Sequence, residues 1–168
     1  LSRAVPIHDL SGDRMRWFGT STNIDAQKKA EEAVRNLETR YRLALEAADL
    51  GTWQIDLVNN EVVWDEGSCA LYQTPHDGSF SLPFEQALAM VHPDDRENVR
   101  ATIAKASAPG ADGHYENEYR AILPDGKIRW FRSVGQALFA PDGRMPHAVS
   151  ISGVISDVTE RHAFEEAQ

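Results

Sequence analysis

Regular alternation of apolar and polar residues predicts strands in the second half of the chain. Tyrosines alternate with charged residues over residues 114–123, and Val and Ile alternate with small or polar residues over residues 147–156. Such alternation is typical of half-buried strands. A third apolar strand, residues 127–139, is bounded by Pro124-Asp125-Gly126 and Pro141-Asp142-Gly143, in which proline presets one turn position and glycine takes a positive φ. The whole segment predicts an antiparallel meander.

The first half of the same unit predicts two strands followed by short helices. Residues 51–57 and 61–64 flank Val58-Asn59-Asn60, which suits a hairpin turn because asparagine tolerates a positive φ. Residues 66–106 have a helical pattern. Its clearest helix begins near Pro93-Asp94-Asp95, where acidic side chains face the positive end of the helix dipole. The predicted order is two strands, several short helices and three strands.

A longer helix is predicted upstream, over residues 26–48. Its apolar positions follow the 4, 3, 4, 3, 4 spacing of a coiled-coil seam. Two interpretations remain: the seam pairs with a second copy in a homodimer, or the helix packs on its own domain. The seam residues are Ala30, Val34, Leu37, Tyr41, Ala44 and Ala48.

An internal repeat suggests an origin for the N-terminal segment. Residues 19–25 align without gaps with residues 153–159, and Ser11-Gly12-Asp13 matches Asp142-Gly143-Arg144 after a three-residue shift. We therefore expect residues 1–24 to be the C-terminal hairpin of a preceding, truncated domain of the same type. Because a lone hairpin is marginal in water, we expect it to be disordered, to borrow a partner strand or to pair with a second copy.

Charge and cysteine content narrow the function classes. The 168 residues include 17 basic and 26 acidic ones, a formal charge of −9, which disfavours binding to nucleic acid. No stretch approaches the roughly 18 apolar residues of a membrane helix, so we expect no membrane contact within this chain. Cys69 is the single cysteine, which fits a reducing compartment and a cytoplasmic location.

Several motifs together resemble a PAS domain, in particular the subclass that ends in a PAC motif. The resemblance spans residues 40–162. It implies an α+β fold in which a five-stranded antiparallel sheet carries helices on one face. The motifs that carry it are Arg40-Tyr41-Arg42-Leu43-Ala44-Leu45-Glu46-Ala47-Ala48, Gly51-Thr52-Trp53, Val91-His92-Pro93-Asp94-Asp95, Asp125-Gly126-Lys127-Ile128-Arg129-Trp130 and Asp157-Val158-Thr159-Glu160-Arg161.

This resemblance divides the chain into four parts. Residues 1–24 are the truncated hairpin, residues 25–48 an amphipathic linker helix, residues 49–157 the PAS domain and residues 158–168 the start of an exit signalling helix. PAS domains of this subclass are modules of bacterial sensor histidine kinases, which belong to two-component systems, or of cyclic-dinucleotide enzymes. The adjacent PAS and output domains of the same chain are the implied partners.

The predicted signalling junction consists of Asp157, Thr159 and Glu160. Asp157 and Glu160 have the spacing of a capping box, in which Asp157 caps the exit helix and Glu160 reaches back. The cap fixes the angle at which the helix leaves the sheet, so a shift in the last strand would tilt or rotate the helix. The simpler interpretation is that Asp157 only caps a helix, which contributes about 1 kcal/mol.

Catalytic signatures are missing from the sequence, and we expect no enzyme activity. It contains no phosphate-binding glycine loop, zinc-protease motif or nucleophile elbow. The residues around His162 do not resemble a histidine-kinase phosphoacceptor box. His92 with Asp94 and Asp95 fits an ordinary helix start rather than a metal site, so no metal is expected.

The family's known cofactors are also disfavoured. Cys69 lies in the first short helix and lacks the Asn-Cys-Arg-Phe motif of flavin-binding light-oxygen-voltage domains. Haem-binding relatives carry their iron ligand in the helix predicted from residue 94 to 106, whose body contains no histidine. The cofactor therefore stays unassigned.

An apolar pocket between sheet and helices is the remaining candidate site. The alternative is a densely packed core without a cavity. The pattern leaves open whether Trp130 or Phe131 points inward. The candidate lining residues are Trp53, Ile55, Leu71, Phe84, Leu88, Val99, Ile103, Tyr119, Ala121, Val149 and Ile151.

The sequence thus favours a cytoplasmic PAS module that dimerises and passes conformational change through its flanking helices, with a small molecule as candidate ligand. The alternative is a constitutive dimerisation scaffold with a packed core.

Overall fold

The chain divides into two compact units, Leu1–Leu43 and Ala44–Gln168. The computed structural model describes residues 2–8, 15–75, 77, 80–143 and 146–168. Each unit has its own secondary structure, and the second contains the predicted domain.

The first unit contains a hairpin and most of a long helix. Strand β1 (Ser2–His8) pairs antiparallel with β2 (Met15–Ser21), and Ala4 lies opposite Gly19. The turn predicted at Ser11-Gly12-Asp13 lies outside the described residues. The dependence of this hairpin on a further partner stays a prediction.

Helix α1 (Asp25–Ala47) confirms the predicted linker helix, and none of its residues is buried. It ends one residue before the predicted boundary, so Ala48 is its C-cap. Asp49 adopts a left-handed φ of 51°. The Leu50 amide then donates to the Leu45 carbonyl at 2.9 Å, which closes the helix with a Schellman-type turn.

The second unit is built on a six-stranded antiparallel sheet. The five predicted strands are confirmed within one or two residues. The strands are β3 (Gly51–Asp56), β4 (Glu61–Trp64), β5 (Phe80–Pro83), β6 (His114–Ile122), β7 (Ile128–Phe139) and β8 (Ala148–Asp157). Their order across the sheet is β5-β4-β3-β8-β7-β6.

The prediction of five strands was one short, because β5 lies inside the segment with a helical pattern. It has four residues, pairs along one side with β4 and ends in Pro83. A four-residue edge strand shows too few alternating positions to be distinguished from a loop.

The predicted turns have the expected backbone. Asn60 adopts a φ of 58°, and Gly126 and Gly143 adopt φ values of 81° and 65°.

A bulge interrupts the pairing of β7 with β8. Leu138 pairs with Ser150 but Phe139 pairs with Ala148, so Val149 is an extra residue in the ladder.

Short helices cover the inner face of the sheet. The Asp65 carboxylate accepts hydrogen bonds from the Ser68 amide and the Thr52 amide, both at 2.8 Å, which ties the first of these helices to β3. These helices are α2 (Glu66–Leu71), α3 (Phe84–Ala89) and α4 (Arg96–Ser107), which a 3-10 turn at Pro93–Asp95 precedes. The exit helix α5 (Thr159–Glu166) follows β8.

Two facing glycines admit a tryptophan into the core. Gly153 lies opposite Gly135 on β7 and opposite Trp53 on β3. A Cβ at Gly153 would lie 2.0 Å from the Val134 carbonyl oxygen and 2.8 Å from Trp53 Cζ2. The indole therefore packs directly against backbone, and no larger residue fits at Gly153 without a shift of the strands.

Candidate functional site

A cavity of about 60 Å³ lies between the sheet and the short helices. Its wall combines aromatic and aliphatic side chains from strands β3, β4, β6, β7 and β8 and from helices α3 and α4. The lining residues are Trp53, Ile55, Val62, Trp64, Tyr72, Phe84, Ala87, Leu88, Val91, Val99, Ile103, Tyr115, Tyr119, Ser133 and Ile155.

The structure brings most of the predicted pocket residues together. Those in the cavity wall are Trp53, Ile55, Phe84, Leu88, Val99, Ile103 and Tyr119.

The other four predicted residues lie elsewhere in the unit. Leu71 lines a separate groove beside the exit helix. Ala121 and Ile151 are fully buried in the core but outside the cavity wall. Val149 is only half-buried, because the bulge interrupts the alternation from which it was predicted.

Three aromatic wall residues were missed. Tyr115 has the same strand parity as Tyr119, and Trp64 has the same parity as Val62, so alternation alone could have found both. Tyr72 follows α2 directly, and no periodic signal places it. The sequence left open whether Trp130 or Phe131 points into the core. Phe131 is fully buried, and Trp130 lies half-buried on the other face of β7.

A hydrogen-bonded pair of tyrosines forms one side of the cavity. The hydroxyls of Tyr72 and Tyr119 lie 2.7 Å apart. The Tyr72 ring stacks on Trp64 at 4.3 Å between centroids and meets the Phe131 ring edge-on at 5.0 Å. Burial raises the pKa of Tyr72 and of Tyr119, so both hydroxyls stay neutral, and one donates to the other in a single hydrogen bond.

Trp53 is buried with an unpaired donor. Its side chain is 7% exposed, and its indole Nε1 has no hydrogen-bond partner among the described residues. The Tyr115 ring meets the indole at 5.3 Å and 74°, a ring contact that supplies no oxygen acceptor. A buried N–H without an acceptor is uncommon in folded proteins.

The predicted signalling junction lies where β8 ends and α5 begins. Asp157 Oδ1 accepts hydrogen bonds from the Thr159 amide at 2.9 Å and from the Thr159 hydroxyl at 2.5 Å. Its other oxygen, Oδ2, accepts from Arg129 Nη1 at 2.9 Å. One carboxylate thus joins β7, β8 and the exit helix.

The pKa of Asp157 lies below its ordinary value. Partial burial by itself raises this pKa, but the two hydrogen bonds from Thr159 and the Arg129 guanidinium together outweigh burial. The carboxylate is therefore charged at neutral pH, as its three hydrogen bonds require.

The backbone of Trp130 completes the junction. Its amide donates to the Thr159 hydroxyl oxygen at 3.0 Å, and its carbonyl accepts from the Val158 amide at 2.8 Å. The predicted capping box is wrong in detail. Val158 is the N-cap residue of α5, and no hydrogen bond among the described residues joins the exposed Glu160 to Asp157. Thr159, and not Glu160, supplies the contact with Asp157, by donating to its carboxylate.

A second attachment holds α5 to the outer face of the sheet. The His162 ring stacks on Trp130 at 4.0 Å and 12°. Glu118 Oε2 lies 3.0 Å from His162 Nε2, and Glu118 Oε1 accepts from Arg161 Nη2 at 2.5 Å. From the sequence, His162 was weighed only as a phosphoacceptor. Its contact with Glu118 and Trp130 was missed, because these residues lie on strands β6 and β7, far from it along the chain.

Arg120 connects this outer face to the helical layer. Its guanidinium lies 5.5 Å from the Trp130 ring centroid, and it donates to both Asp95 oxygens, at 2.9 and 2.6 Å.

His92, Asp94 and Asp95 form a helix start: the Asp94 amide donates to His92 Nδ1 at 3.3 Å, while Asp95 pairs with Arg120. In the described part of the chain, no cluster of three His, Cys, Asp or Glu side chains could hold a metal ion.

Cys69 is buried in α2. Burial raises the pKa of its thiol, and Asp65 and Glu66 raise it further, so the thiol stays protonated and unreactive at neutral pH.

No helix within the described ranges combines the length and apolar character of a membrane span.

Comparison with known proteins identifies a family. The PAS fold family matches residues 61–152, more than half of the chain. A solved sensory box histidine kinase/response regulator of Burkholderia thailandensis superposes with a TM-score of 0.61 at 26% identity, covering 76% of this chain and 91% of that one.

Longer curated proteins also match. An uncharacterized protein, y4lL, of Sinorhizobium fredii is 30% identical over 166 residues, which are 98% of this chain and 19% of that protein. The sensor protein FixL of Bradyrhizobium diazoefficiens is 26% identical over 127 residues, 76% of this chain and 24% of FixL. The probable diguanylate cyclase DgcE of Escherichia coli is 24% identical, over 96% of this chain and 14% of DgcE. The chain thus spans less than a quarter of each relative.

Proposed function

Because the chain belongs to the PAS fold family, and is a PAS module of the kind found in signal-transduction proteins, we propose that it relays conformational change from its core to its exit helix. The observation that carries this proposal is the Asp157 junction. A single carboxylate there holds β7, β8 and α5 together. A displacement of β8 therefore moves the start of α5 with it.

Along β8, the residue that lines the cavity and the residue that forms the junction are two positions apart. Ile155 on β8 lines the cavity, and Asp157 follows on the same face of the same strand. Phe131, which pairs with Asp157 across the ladder, contacts the Tyr72 ring. A change in the volume or contents of the cavity acts on both strands that carry the junction, because a close-packed interior transmits displacement.

We place this module inside a longer signalling protein. Its relatives include a sensor protein and a probable diguanylate cyclase, so we propose a histidine kinase or a cyclic-dinucleotide enzyme as the parent. The module itself is non-catalytic in this proposal and acts on an output domain through α5. We propose a cytoplasmic location, which the single cysteine supports.

We further propose that the module works as a homodimer through α1. The seam side chains Val34, Leu37 and Tyr41 are between 56% and 68% exposed. A helix that leaves such a seam in water gains stability by pairing it with a second copy. A shared coiled coil would let two modules act on one output together.

The N-terminal hairpin is proposed to be the last hairpin of another PAS sheet. In the hairpin Ala4 lies opposite Gly19, and in the complete sheet Gly135 lies opposite Gly153. The alignment of β2 with β8 in the sequence repeat matches Gly19 with Gly153. The alignment of β1 with β7, after the three-residue shift of the same repeat, matches Ala4 with Gly135. The pairing register thus supports the repeat.

One observation favours a constitutive dimerisation scaffold as a second candidate function. The cavity is small, and its wall is dense with stacked aromatic rings, among them Trp64 on Tyr72. A rigid core would set dimer geometry without responding to a ligand.

The relay is tested by Asp157→Ala in the parent protein. Loss of the carboxylate removes the two hydrogen bonds from Thr159 that attach α5 and the one from Arg129 on β7, so we expect signalling output per folded molecule to change at least threefold while Tm falls by only a few degrees. Glu160→Ala, on the exposed side of the same turn, is the matched control and is expected to keep normal output. Normal output in the Asp157 variant would instead favour the scaffold.

A further inference from the structure

The most unusual polar group in the core is the Trp53 indole N–H. It is buried and without an acceptor among the described residues, and its side chain forms part of the cavity wall. A buried donor left unpaired destabilises the fold. The Tyr72 and Tyr119 hydroxyls in the wall bond to each other, whereas the Trp53 Nε1 atom is a wall donor that has no partner among the described residues.

We propose that this cavity binds a small uncharged molecule with one hydrogen-bond acceptor, which takes the Trp53 N–H. The proposal names the ligand class for the sensory function proposed above and rests on it. An apolar body would fill the space beside Leu88, Val99 and Ile103, and its single oxygen would face Trp53.

The electrostatics of the wall select an uncharged guest. None of the described lining residues carries an ionisable carboxylate, ammonium, guanidinium or imidazole group. Burial also raises the pKa values of Tyr72, Tyr115 and Tyr119, which keeps these hydroxyls neutral. An ion entering this space would lose its hydration without gaining a countercharge, which disfavours its binding.

The size of the cavity sets the size of the guest. A water molecule needs about 10–15 Å³ of such space, and an engineered cavity of about 150 Å³ holds benzene. The volume of about 60 Å³ therefore suits a molecule of roughly four non-hydrogen atoms. Pockets for drug-sized ligands are larger, about 300–1,000 Å³.

The partly exposed Phe84 and Ala87 of α3 form the outer part of the wall. This short helix, which packs beside the edge strand β5, is therefore the place where a guest would enter.

Acetone and acetate provide a matched pair of probes. Each has four non-hydrogen atoms and a carbonyl-type acceptor, but only acetate is charged. The chain would be labelled with ¹⁵N at its tryptophan indoles, and each probe titrated while the Trp53 indole signal and the Leu88 and Ile103 methyl signals are followed by NMR. Trp130, on the outer face of β7, provides an internal control in the same spectrum.

Acetone is expected to shift the Trp53 indole and both methyl signals with one common midpoint, between roughly 0.05 and 10 mM. Acetate is expected to leave them unchanged. Trp53→Phe removes the donor but keeps an aromatic ring, so the methyl signals should report acetone binding weakened about tenfold. Trp130→Phe should leave the affinity unchanged.

Three results would overturn the proposal. Acetate binding as well as acetone would contradict the selection against charge. Equal acetone affinity in Trp53→Phe would remove the role of the indole. Absence of any saturable shift would mean that the cavity admits only water, or that the Tyr115 ring satisfies the N–H. Each result concerns binding to this chain alone, so a failure here leaves the Asp157 relay to be judged by signalling output.

Discussion

Arg120 makes more varied contacts than its position on a strand suggests. It pairs with Asp95 through two side-chain hydrogen bonds and lies near the Trp130 ring. Its backbone amide also donates to Asp95 Oδ2 at 2.8 Å. Three hydrogen bonds from Arg120 to the Asp95 carboxylate therefore hold the start of α4 to β6.

The contact between Asp95 and Arg120 makes the free energy of unfolding depend on pH under acidic conditions. Side-chain hydrogen bonds from Arg120 lower the pKa of Asp95 by more than burial raises it, whereas an unfolded chain has an aspartate pKa near 3.9. The contribution is therefore complete above about pH 4 and is lost as the pH falls through the lower native pKa. We expect Asp95→Asn to lower Tm by a few degrees at pH 7 and to flatten the fall of Tm in acid, as followed by circular dichroism.

Asp94→Asn is the control for this prediction. Asp94 is 75% exposed and its carboxylate lies 4.0 Å from Arg120, so its replacement should change Tm by less than about 1 °C. Equal effects of the two variants would show that general acidity, rather than the Asp95 contact, sets the pH dependence.

Single residues could be predicted where a local rule applied. Asp157 was recognised because an aspartate just before a helix was expected to cap it, although Val158 is the N-cap residue. Asn60 was recognised because asparagine tolerates the positive φ of a hairpin turn. Their distant partners could not be predicted. Arg129 meets Asp157, and Trp130 meets His162, only because the register of β7 against β8 brings them together, and register depends on the assembled sheet.

At the scale of elements, long periodic segments were predicted well and short ones poorly. Strands β6, β7 and β8 are each nine residues long or more, and each was found from its pattern or from the turns that bound it. Strand β5, with four residues, was not. The predicted pocket failed at Val149 for a related reason, since a bulge changes strand parity without any signal in the sequence.

The contact between β3, β7 and β8 depends on glycine. A Cβ at Gly153 would lie 2.0 Å from a backbone oxygen and 2.6 Å from Gly135 Cα. We expect Gly153→Ala to lower the free energy of unfolding by about 3 kcal/mol or more, because strands rather than a flexible side chain must move. Denaturant titration followed by tryptophan fluorescence would measure this loss.

Gly126→Ala is the matched control for the packing effect. Gly126 has a φ of 81° but open space around its Cα, so it carries only the backbone strain, about 1–2 kcal/mol. A smaller loss at Gly153 than at Gly126 would contradict the proposed tight approach of Trp53 to the glycines.

At the scale of the whole molecule, the seam on α1 predicts self-association. Leu37→Glu would place two carboxylates opposite each other in a parallel coiled coil, so we expect the dimer dissociation constant to rise at least tenfold in sedimentation equilibrium. Leu43→Glu makes the same change at a residue that is 55% exposed but outside the seam, and it should leave association unchanged. A monomeric wild-type chain, or equal effects of both variants, would remove the seam as an interface.

We propose that the Asp157 junction holds the exit helix to the sheet. The His162 ring reports this directly, because stacking on Trp130 at 4.0 Å shifts its ring protons upfield in the NMR spectrum. At one fixed pH, Asp157→Ala should move these signals at least halfway to their unstructured positions, while Glu160→Ala leaves them in place and the Trp53 indole signal stays unchanged in both variants. Unchanged His162 signals in Asp157→Ala would show that the junction does not hold α5 and would contradict the proposed relay.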